Sequence, residues 1–308
     1  MLTDQYQSRR GGLIFFGLLQ LGLGLLSLLL FGFMVVTFTV IANAHQPGMP
    51  AVQPRAMIFS GAIYVVFGAL LVTLGIGSML ARRWARDLSL LVSIAWLILG
   101  TFTTLFMAAV MPRFMPQTAP TFVVTCMIVM FAIFGIAIPL SLVLFYRSPN
   151  VHATCLALDP VPRWTETVPL PLLGLALWTA FHGVAMLGTS AYAVLPLAND
   201  VLTGAPAVAI FVALGAVLLY VAWGLYRRSM VAWWIGIAYG VLVLAYSAIV
   251  FPRVDYNKVF AAMHVPKTPG MPDFTGFYSN PVLLALIGLF YLVYFGYFVY
   301  VRKSLANV

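Results

Sequence analysis

The sequence contains very little charge. Only 7% of its 308 residues are charged, with 7 acidic and 16 basic side chains, whereas 63% are hydrophobic. A water-soluble domain has about 25% charged residues, because its surface must be wetted. This shortage excludes a soluble globular protein of this size and indicates that most of the surface faces lipid.

Acidic residues are scarcer than basic residues, and the formal net charge is +9. A basic balance can indicate nucleic-acid binding. Here the basic residues form no arm or domain, and they sit at the ends of apolar runs, where the positive-inside rule places them. We therefore expect the lipid bilayer as a partner and no nucleic acid.

Cysteine is also rare, with Cys126 in an apolar run and Cys155 in a polar loop. The two residues are expected at different membrane depths, which argues against a disulfide. Their spacing matches no zinc or haem-attachment pattern. The sequence thus predicts no cofactor and no cysteine-based metal site.

Long apolar runs dominate the chain. A helix that crosses the hydrocarbon needs about 20 such residues, and backbone groups in lipid must bond internally, which excludes open strands. We predict an all-α, polytopic transmembrane helical bundle of about eight spans. The runs are Leu13–Ile41, Met57–Ala81, Leu88–Met111, Phe122–Tyr146, Pro169–Leu195, Ala207–Tyr226, Met230–Phe251 and Pro281–Val301.

The basic residues orient these spans. With the amino terminus inside, the inner loops carry eleven of the sixteen lysines and arginines and the outer loops carry five. The short inner turns Arg82–Asp87 and Arg227–Ser229 are the clearest evidence, because long loops obey the rule less strictly. Both termini are expected on the cytoplasmic side.

Two tracts of the sequence read alike. Gly68–Leu71 leads to Arg82-Arg83, and Gly215–Leu218 leads to Arg227-Arg228. The similarity predicts a parallel four-plus-four internal repeat, related by an axis along the membrane normal. The alternative is that two unrelated membrane hairpins converge on an Arg-Arg inner turn.

A repeat of this kind divides the chain into two four-helix halves, residues 1–150 and 151–308. The second half includes a long outer loop, residues 252–280. The inner linker Ser148–Val168 joins the halves, and its prolines favour a stiff connector. Its charged residues Asp159, Arg163 and Glu166 could pair with each other or with a cytosolic partner.

The hairpin from Gly75-Ile76-Gly77 to Arg82-Arg83-Trp84-Ala85-Arg86 resembles one found in bacterial multi-pass inner-membrane proteins to which no activity is assigned. The linker around Asp159-Pro160-Val161-Pro162-Arg163-Trp164 has a similar resemblance. It implies a bacterial inner membrane as the location. It supplies no functional residue.

Three residues are candidates for an intramembrane polar site. His182 lies near the middle of the fifth run, and ionisable groups at that depth are often functional. Tyr291 and Tyr294 belong to a tyrosine stripe with a spacing of three on the eighth run, continued by Tyr297 and Tyr300. Their hydroxyls require partners on neighbouring helices or in a wet cavity. A purely structural, hydrogen-bonded role is the alternative for all of them.

The outer loops combine methionine and histidine, as in His45 with Met49 and Met263-His264 before Met271. Thioethers with imidazole suit Cu(I), but methionine is also an adaptable apolar filler at membrane edges. Asp255 with His264 lacks the further partners of a hydrolase motif. We predict no metal site and no catalytic residue.

Two classes of function remain. The chain is either a membrane-embedded scaffold or accessory subunit, bound to another membrane protein or to a second copy, or it moves a small neutral or lipidic molecule between its halves. The spans carry no charged residue in their interior, so an ion-coupled pump has no proton or sodium relay. This favours the scaffold.

Overall fold

The computed structural model describes residues 7–43, 54–110, 112, 120–263 and 280–306. Among these residues, eight helical segments are long and apolar enough to cross a membrane. The prediction of an all-α polytopic bundle is confirmed, and the chain is a multi-pass membrane protein.

In chain order the helices are α1 (Arg10–Asn43), α2 (Pro54–Met79), α3 (Arg83–Ala109), α4 (Thr121–Ala132), α5 (Ile138–Tyr146), α6 (Pro149–Leu158), α7 (Leu170–Thr189), α8 (Ala205–Tyr226), α9 (Met230–Val250), α10 (Tyr256–Ala262) and α11 (Pro281–Ala306). Helices α4 and α5 belong to one span. Helices α6 and α10 are short and lie between spans.

The fourth span contains a π-helix, Ile133–Ala137, between α4 and α5. The cause is Pro139, which has no backbone N–H and whose ring crowds the carbonyl four residues earlier. A wider turn relieves this conflict. The backbone N–H of Ile138 accordingly donates to the carbonyl of Ile133, five residues back.

The fifth run is shorter as a helix than the sequence predicts. Helix α7 ends at Thr189, and the last residues of the run form strand β1 (Val194–Pro196), which pairs with β2 (Val201–Thr203) in an antiparallel hairpin. Ala193 stops the helical path because its φ is 52°, a left-handed conformation that breaks a helix.

The chain divides into two compact units. The first includes the described residues within Met1–Pro47, Met57–Gly100 and Ala132–Leu170. The second includes those within Gly48–Ala56, Thr101–Phe131 and Pro171–Val308. The first unit has a core of seven buried residues, namely Leu13, Ala81, Leu90, Leu142, Tyr146, Val151 and Cys155.

Glycines bring α1 and α2 together in the first unit. A Cβ added to Gly24 would lie 2.8 Å from the carbonyl oxygen of Gly68, and one added to Gly75 would lie 2.6 Å from that of Gly17. Backbones this close leave no room for a side chain. This close approach is typical of small-residue helix interfaces in membranes.

The second unit uses the same device between α7 and α8. A Cβ on Gly183 would lie 3.1 Å from the Gly215 carbonyl oxygen, and one on Gly215 would meet the side chain of Leu187. In the first unit the residue in that position is Leu28, which meets a Cβ on Gly68. Each leucine follows its own helix's glycine by four residues.

The α2–α3 and α8–α9 turns also share one backbone pattern. Each contains a left-handed residue, Ala81 with a φ of 52° and Arg228 with a φ of 60°. The N–H of the following residue donates to the carbonyl five residues earlier, at 2.9 Å and 2.8 Å, which is a helix-terminating motif. Arg228 therefore corresponds to Ala81, and the pairs Arg82-Arg83 and Arg227-Arg228 are not at equivalent positions.

Candidate functional site

His182 is half-buried in α7 and contacts its own helix. Its Nδ1 lies 3.0 Å from the carbonyl oxygen of Trp178. Because a carbonyl only accepts, this ring nitrogen carries the proton when the bond forms. The ring also packs on Trp178 at 4.5 Å and on Phe181 at 6.0 Å between centroids. These contacts place the imidazole against the turn of α7 that precedes it.

The tyrosine stripe of α11 bonds to other helices. The hydroxyl of Tyr294 donates to the Gly236 carbonyl on α9 at 3.1 Å, and that of Tyr297 donates to the Pro171 carbonyl on α7 at 2.8 Å. Tyr291 lies beside Tyr294, with ring centroids 6.3 Å apart. The structure thus brings Tyr291 and Tyr294 together, while the polar and ring contacts of His182 are to Trp178 and Phe181. A functional role for these residues stays a prediction.

A buried polar cluster occurs in the first unit, with one residue from each of α1, α2, α3 and α5. These residues are Gln20, Ser78, Ser89 and Tyr146, each at most 1% exposed, and we call them the polar quartet. The Tyr146 hydroxyl lies 2.6 Å from the Ser78 hydroxyl and donates to Gln20 Oε1 at 3.1 Å. Gln20 Nε2 donates to the Ser89 hydroxyl at 3.1 Å.

The quartet satisfies its own hydrogen-bonding groups. Ser78 also reaches the Leu13 carbonyl oxygen, at 3.2 Å. Each bond of this kind contributes about 0.5–1.5 kcal/mol, whereas a buried polar group without a partner costs about 1–3 kcal/mol. Every side-chain nitrogen and oxygen of the quartet has a partner. The arrangement therefore joins four helices through side-chain hydrogen bonds.

Each unit contains one further interhelical bond of the same kind. In the first unit the Arg86 Nε–H donates to the carbonyl of Tyr146 at 3.1 Å. In the second unit the Trp233 Nε1–H donates to the carbonyl of Phe298 at 2.9 Å. Arg86 and Trp233 each lie five residues after the left-handed turn residue. The Phe298 carbonyl thus accepts a bond comparable to that of the Tyr146 carbonyl.

No such network occurs at the comparable positions of the second unit. At the same distances from its glycine contact and its left-handed turn residue lie Thr179, Leu225 and Gly236, and Phe298 accepts the comparable side-chain bond. Gly236 leaves room for the Phe298 ring, since a Cβ there would lie 2.6 Å from it. The Thr179 hydroxyl donates within its own helix, to Leu175. The polar quartet is thus a feature of the first unit.

Beside the quartet, the inner linker is fastened to the start of α3 through Asp159, which is 2% exposed. Arg163 donates to both carboxylate oxygens of Asp159, with Nη2 to Oδ1 at 2.7 Å and Nε to Oδ2 at 3.2 Å. The backbone N–H of Arg83 donates to Oδ2 at 3.2 Å. A carboxylate at a helix amino terminus is favoured by the helix dipole.

Two more contacts complete this fastening, which we call the linker clamp. The Thr165 hydroxyl donates to Asp87 Oδ2 at 2.9 Å, and both residues are buried. Arg83 forms an ion pair with Glu166. The linker charges that the sequence left open, Asp159, Arg163 and Glu166, therefore pair with each other and with the α2–α3 turn.

The ionisable groups of the linker are perturbed by these surroundings. The hydrogen bonds from Arg163 hold the pKa of Asp159 below its ordinary value. Burial, with Arg86 nearby, lowers the pKa of His152. Burial raises the pKa of the Cys155 thiol to about 11, so this cysteine remains protonated at neutral pH and is a poor nucleophile.

The described residues contain no group of three or more histidine, cysteine or acidic side chains placed to hold a metal ion. The methionine and histidine motifs that suggested copper, His45, Met49, His264 and Met271, lie outside the described residues. Most of the outer loop that follows α10 lies outside them as well.

Neither the polar quartet nor the linker clamp was identified from the sequence. Each quartet residue lies in a different apolar run, so nothing in one run indicates the quartet residues of the others. Gln20 was the detectable signal, because a buried primary amide in a span requires partners from other helices. For the clamp, the signal was the pairing of Asp159 with Arg163 at a spacing of four.

The sequence matches no protein-family model and no curated protein, and the fold matches no solved structure.

Proposed function

We propose that the chain is a membrane-embedded scaffold or accessory subunit. The observation that carries this proposal is the saturation of its buried polar groups. Among the described residues, Arg83 Nε is the one buried side-chain nitrogen or oxygen without a hydrogen-bond partner. A bundle whose buried polar groups are satisfied by its own helices needs no bound ligand to complete them.

The distribution of charge supports the same reading. The charged residues of the spans lie at their ends, and the two buried carboxylates, Asp87 and Asp159, belong to the linker clamp. Pumps and ion-coupled carriers use ionisable groups at the membrane midplane. A bundle whose polar contacts join helix to helix suits a structural subunit.

We also propose that the halves 1–150 and 151–308 are diverged copies. The support comes from the Gly24–Gly68 and Gly183–Gly215 contacts, the left-handed turn residues and the two side-chain bonds to α5 and α11. The copies differ at the quartet, which is polar in the first half. A scaffold with two unlike halves has two unlike surfaces for partners, either another membrane protein or a second copy of the chain.

We place the chain in a bacterial inner membrane with both termini in the cytoplasm. The clamp and its arginines then lie on the cytoplasmic side, as the positive-inside rule requires. A fluorescent protein that matures only in the cytoplasm, fused after Val308, should be bright, whereas the same fusion in the β1–β2 hairpin should be dark. The reverse pattern would overturn the orientation.

The scaffold proposal is tested by extracting the chain from its own membranes without detergent and measuring the mass of the extracted assembly. We expect an assembly of fixed stoichiometry that contains a membrane protein partner or a second copy.

A further inference from the structure

The inner linker carries an exposed apolar surface. Leu156, Leu158, Val161 and Trp164 are between 37% and 57% exposed, and we call them the linker face. Other residues of the same segment, among them Val151, Cys155 and Thr165, are buried. The linker therefore has one side packed on the first unit and a second, apolar side that is exposed among the described residues.

The linker face is held in place on both sides. Asp159 and Thr165 are tied to the α2–α3 turn by the clamp, and they bracket Val161 and Trp164 in the chain. The preceding leucines belong to helix α6, whose Thr154 accepts from the backbone N–H of Arg9 at 3.0 Å. The apolar side chains are thus presented by a fixed backbone.

The linker is also tethered close to the membrane. The fourth span ends at Tyr146 and α6 begins at Pro149, while α7 begins at Leu170. The two residues before α6 can reach no further than roughly 3.5 Å each. Exposed tryptophan and leucine so close to a bilayer are most stable in its interfacial region.

The charge around the linker face is positive. At this end of the first unit the described residues include seven arginines and three carboxylates, namely Arg9, Arg10, Arg82, Arg83, Arg86, Arg147 and Arg163 with Asp87, Asp159 and Glu166. The carboxylates are engaged in the clamp, whereas Arg147 is exposed and takes part in none of the ion pairs among the described residues. Such a surplus attracts anionic headgroups.

We propose that the linker face lies in the headgroup region of the membrane that holds the spans, and that the surrounding arginines gather anionic lipid there. This inference does not depend on the scaffold proposal, because a transporter could carry the same interfacial segment. The competing occupant of the face is a protein partner.

The experiment uses the full chain in vesicles and quenches tryptophan with brominated phosphatidylcholine. The difference between the wild type and Trp164→Phe isolates the emission of Trp164, and Trp234→Phe removes an exposed span tryptophan as the comparison. We expect lipid brominated near the headgroup end of its acyl chain to quench Trp164 more strongly than lipid brominated deeper in the acyl chain. Aqueous iodide should have little effect on Trp164 emission. Quenching by iodide without quenching by bromolipid would overturn the proposal. If Trp164 in the natively extracted assembly is quenched by neither iodide nor bromolipid, a protein partner covers the linker face. That result would also overturn the proposal.

A second experiment tests whether the linker face gathers anionic lipid. Brominated phosphatidylglycerol should quench Trp164 at least about twofold more than brominated phosphatidylcholine at the same mole fraction. Arg147→Gln should reduce this preference, whereas Arg253→Gln, an exposed arginine of the second unit, should leave it unchanged. Equal quenching by the two lipids in the wild type would contradict the role of the arginines.

Discussion

Replacing Gly100 with alanine should strongly destabilise the protein. A Cβ on Gly100 of α3 would overlap the carbonyl oxygen of Gly135 and lie 2.5 Å from its Cα. Gly135 is in the π-helix of the fourth span. Both atoms belong to the backbone, so a rotamer change cannot relieve the clash. Overpacking typically costs about 1–3 kcal/mol, and we expect a loss at or above the upper end.

Thermal unfolding of the purified protein measures this effect. Gly288→Ala is the matched control, because a Cβ on Gly288 of α11 meets nothing within 4 Å. That variant should be neutral or slightly more stable, since alanine favours a helix over glycine by about 1 kcal/mol. If Gly100→Ala melts at the same temperature as Gly288→Ala, then α3 and the fourth span do not touch at this crossing.

Asp159→Asn should release the inner linker from the first unit. The substitution keeps the shape of the side chain and removes the charge that Arg163 and the start of α3 bind. Hydrogen bonds to charged groups are the stronger ones. We expect amide hydrogen exchange in residues 159–168 to accelerate by roughly tenfold or more, while the spans keep their protection.

The control is Asp255→Asn, which changes an exposed carboxylate that accepts from the backbone of α10. Asparagine is an equally good cap, so exchange should be unaffected there and in the linker. Unchanged linker exchange in Asp159→Asn would contradict the clamp.

The same clamp should depend on pH. The folded state lowers the pKa of Asp159 below its ordinary value of 3.8, so the contribution of this carboxylate to stability is complete above 3.8. That contribution is lost as the pH falls through the lowered pKa. After correction for intrinsic exchange rates, the protection of linker amides in the wild type should therefore decline in acid. The part of this decline that is due to Asp159 should be missing from Asp159→Asn.

Much of the architecture could be predicted from the sequence because hydropathy acts locally. Each span is an uninterrupted apolar run, and lipid leaves its backbone no alternative to a helix. The glycines at positions 61, 68 and 75 repeat every seven residues, a spacing that places small residues on one helix face. Strand β1 was missed, because Val194 and Leu195 are as apolar as the helix residues before them.

The interior of the first unit could not be predicted for the opposite reason. Gln20, Ser78, Ser89 and Tyr146 are distant in the chain, and only the packing of four helices brings them together. The contact of Gly100 with Gly135 is equally non-local and depends on the π-helix that Pro139 imposes. By contrast, His182 was conspicuous in the sequence because of its chemistry, and its Nδ1 bonds to the Trp178 carbonyl of its own helix.

If the chain is a scaffold, its buried polar groups join helices and hold no cargo. Native mass spectrometry of the chain, extracted from its own membranes in polymer nanodiscs, tests it most directly. We expect an assembly heavier than the 33.7 kDa chain, with the same protein stoichiometry in every preparation and no bound small molecule other than lipid. A single 33.7 kDa chain that carries one defined non-lipid molecule in each preparation would contradict it.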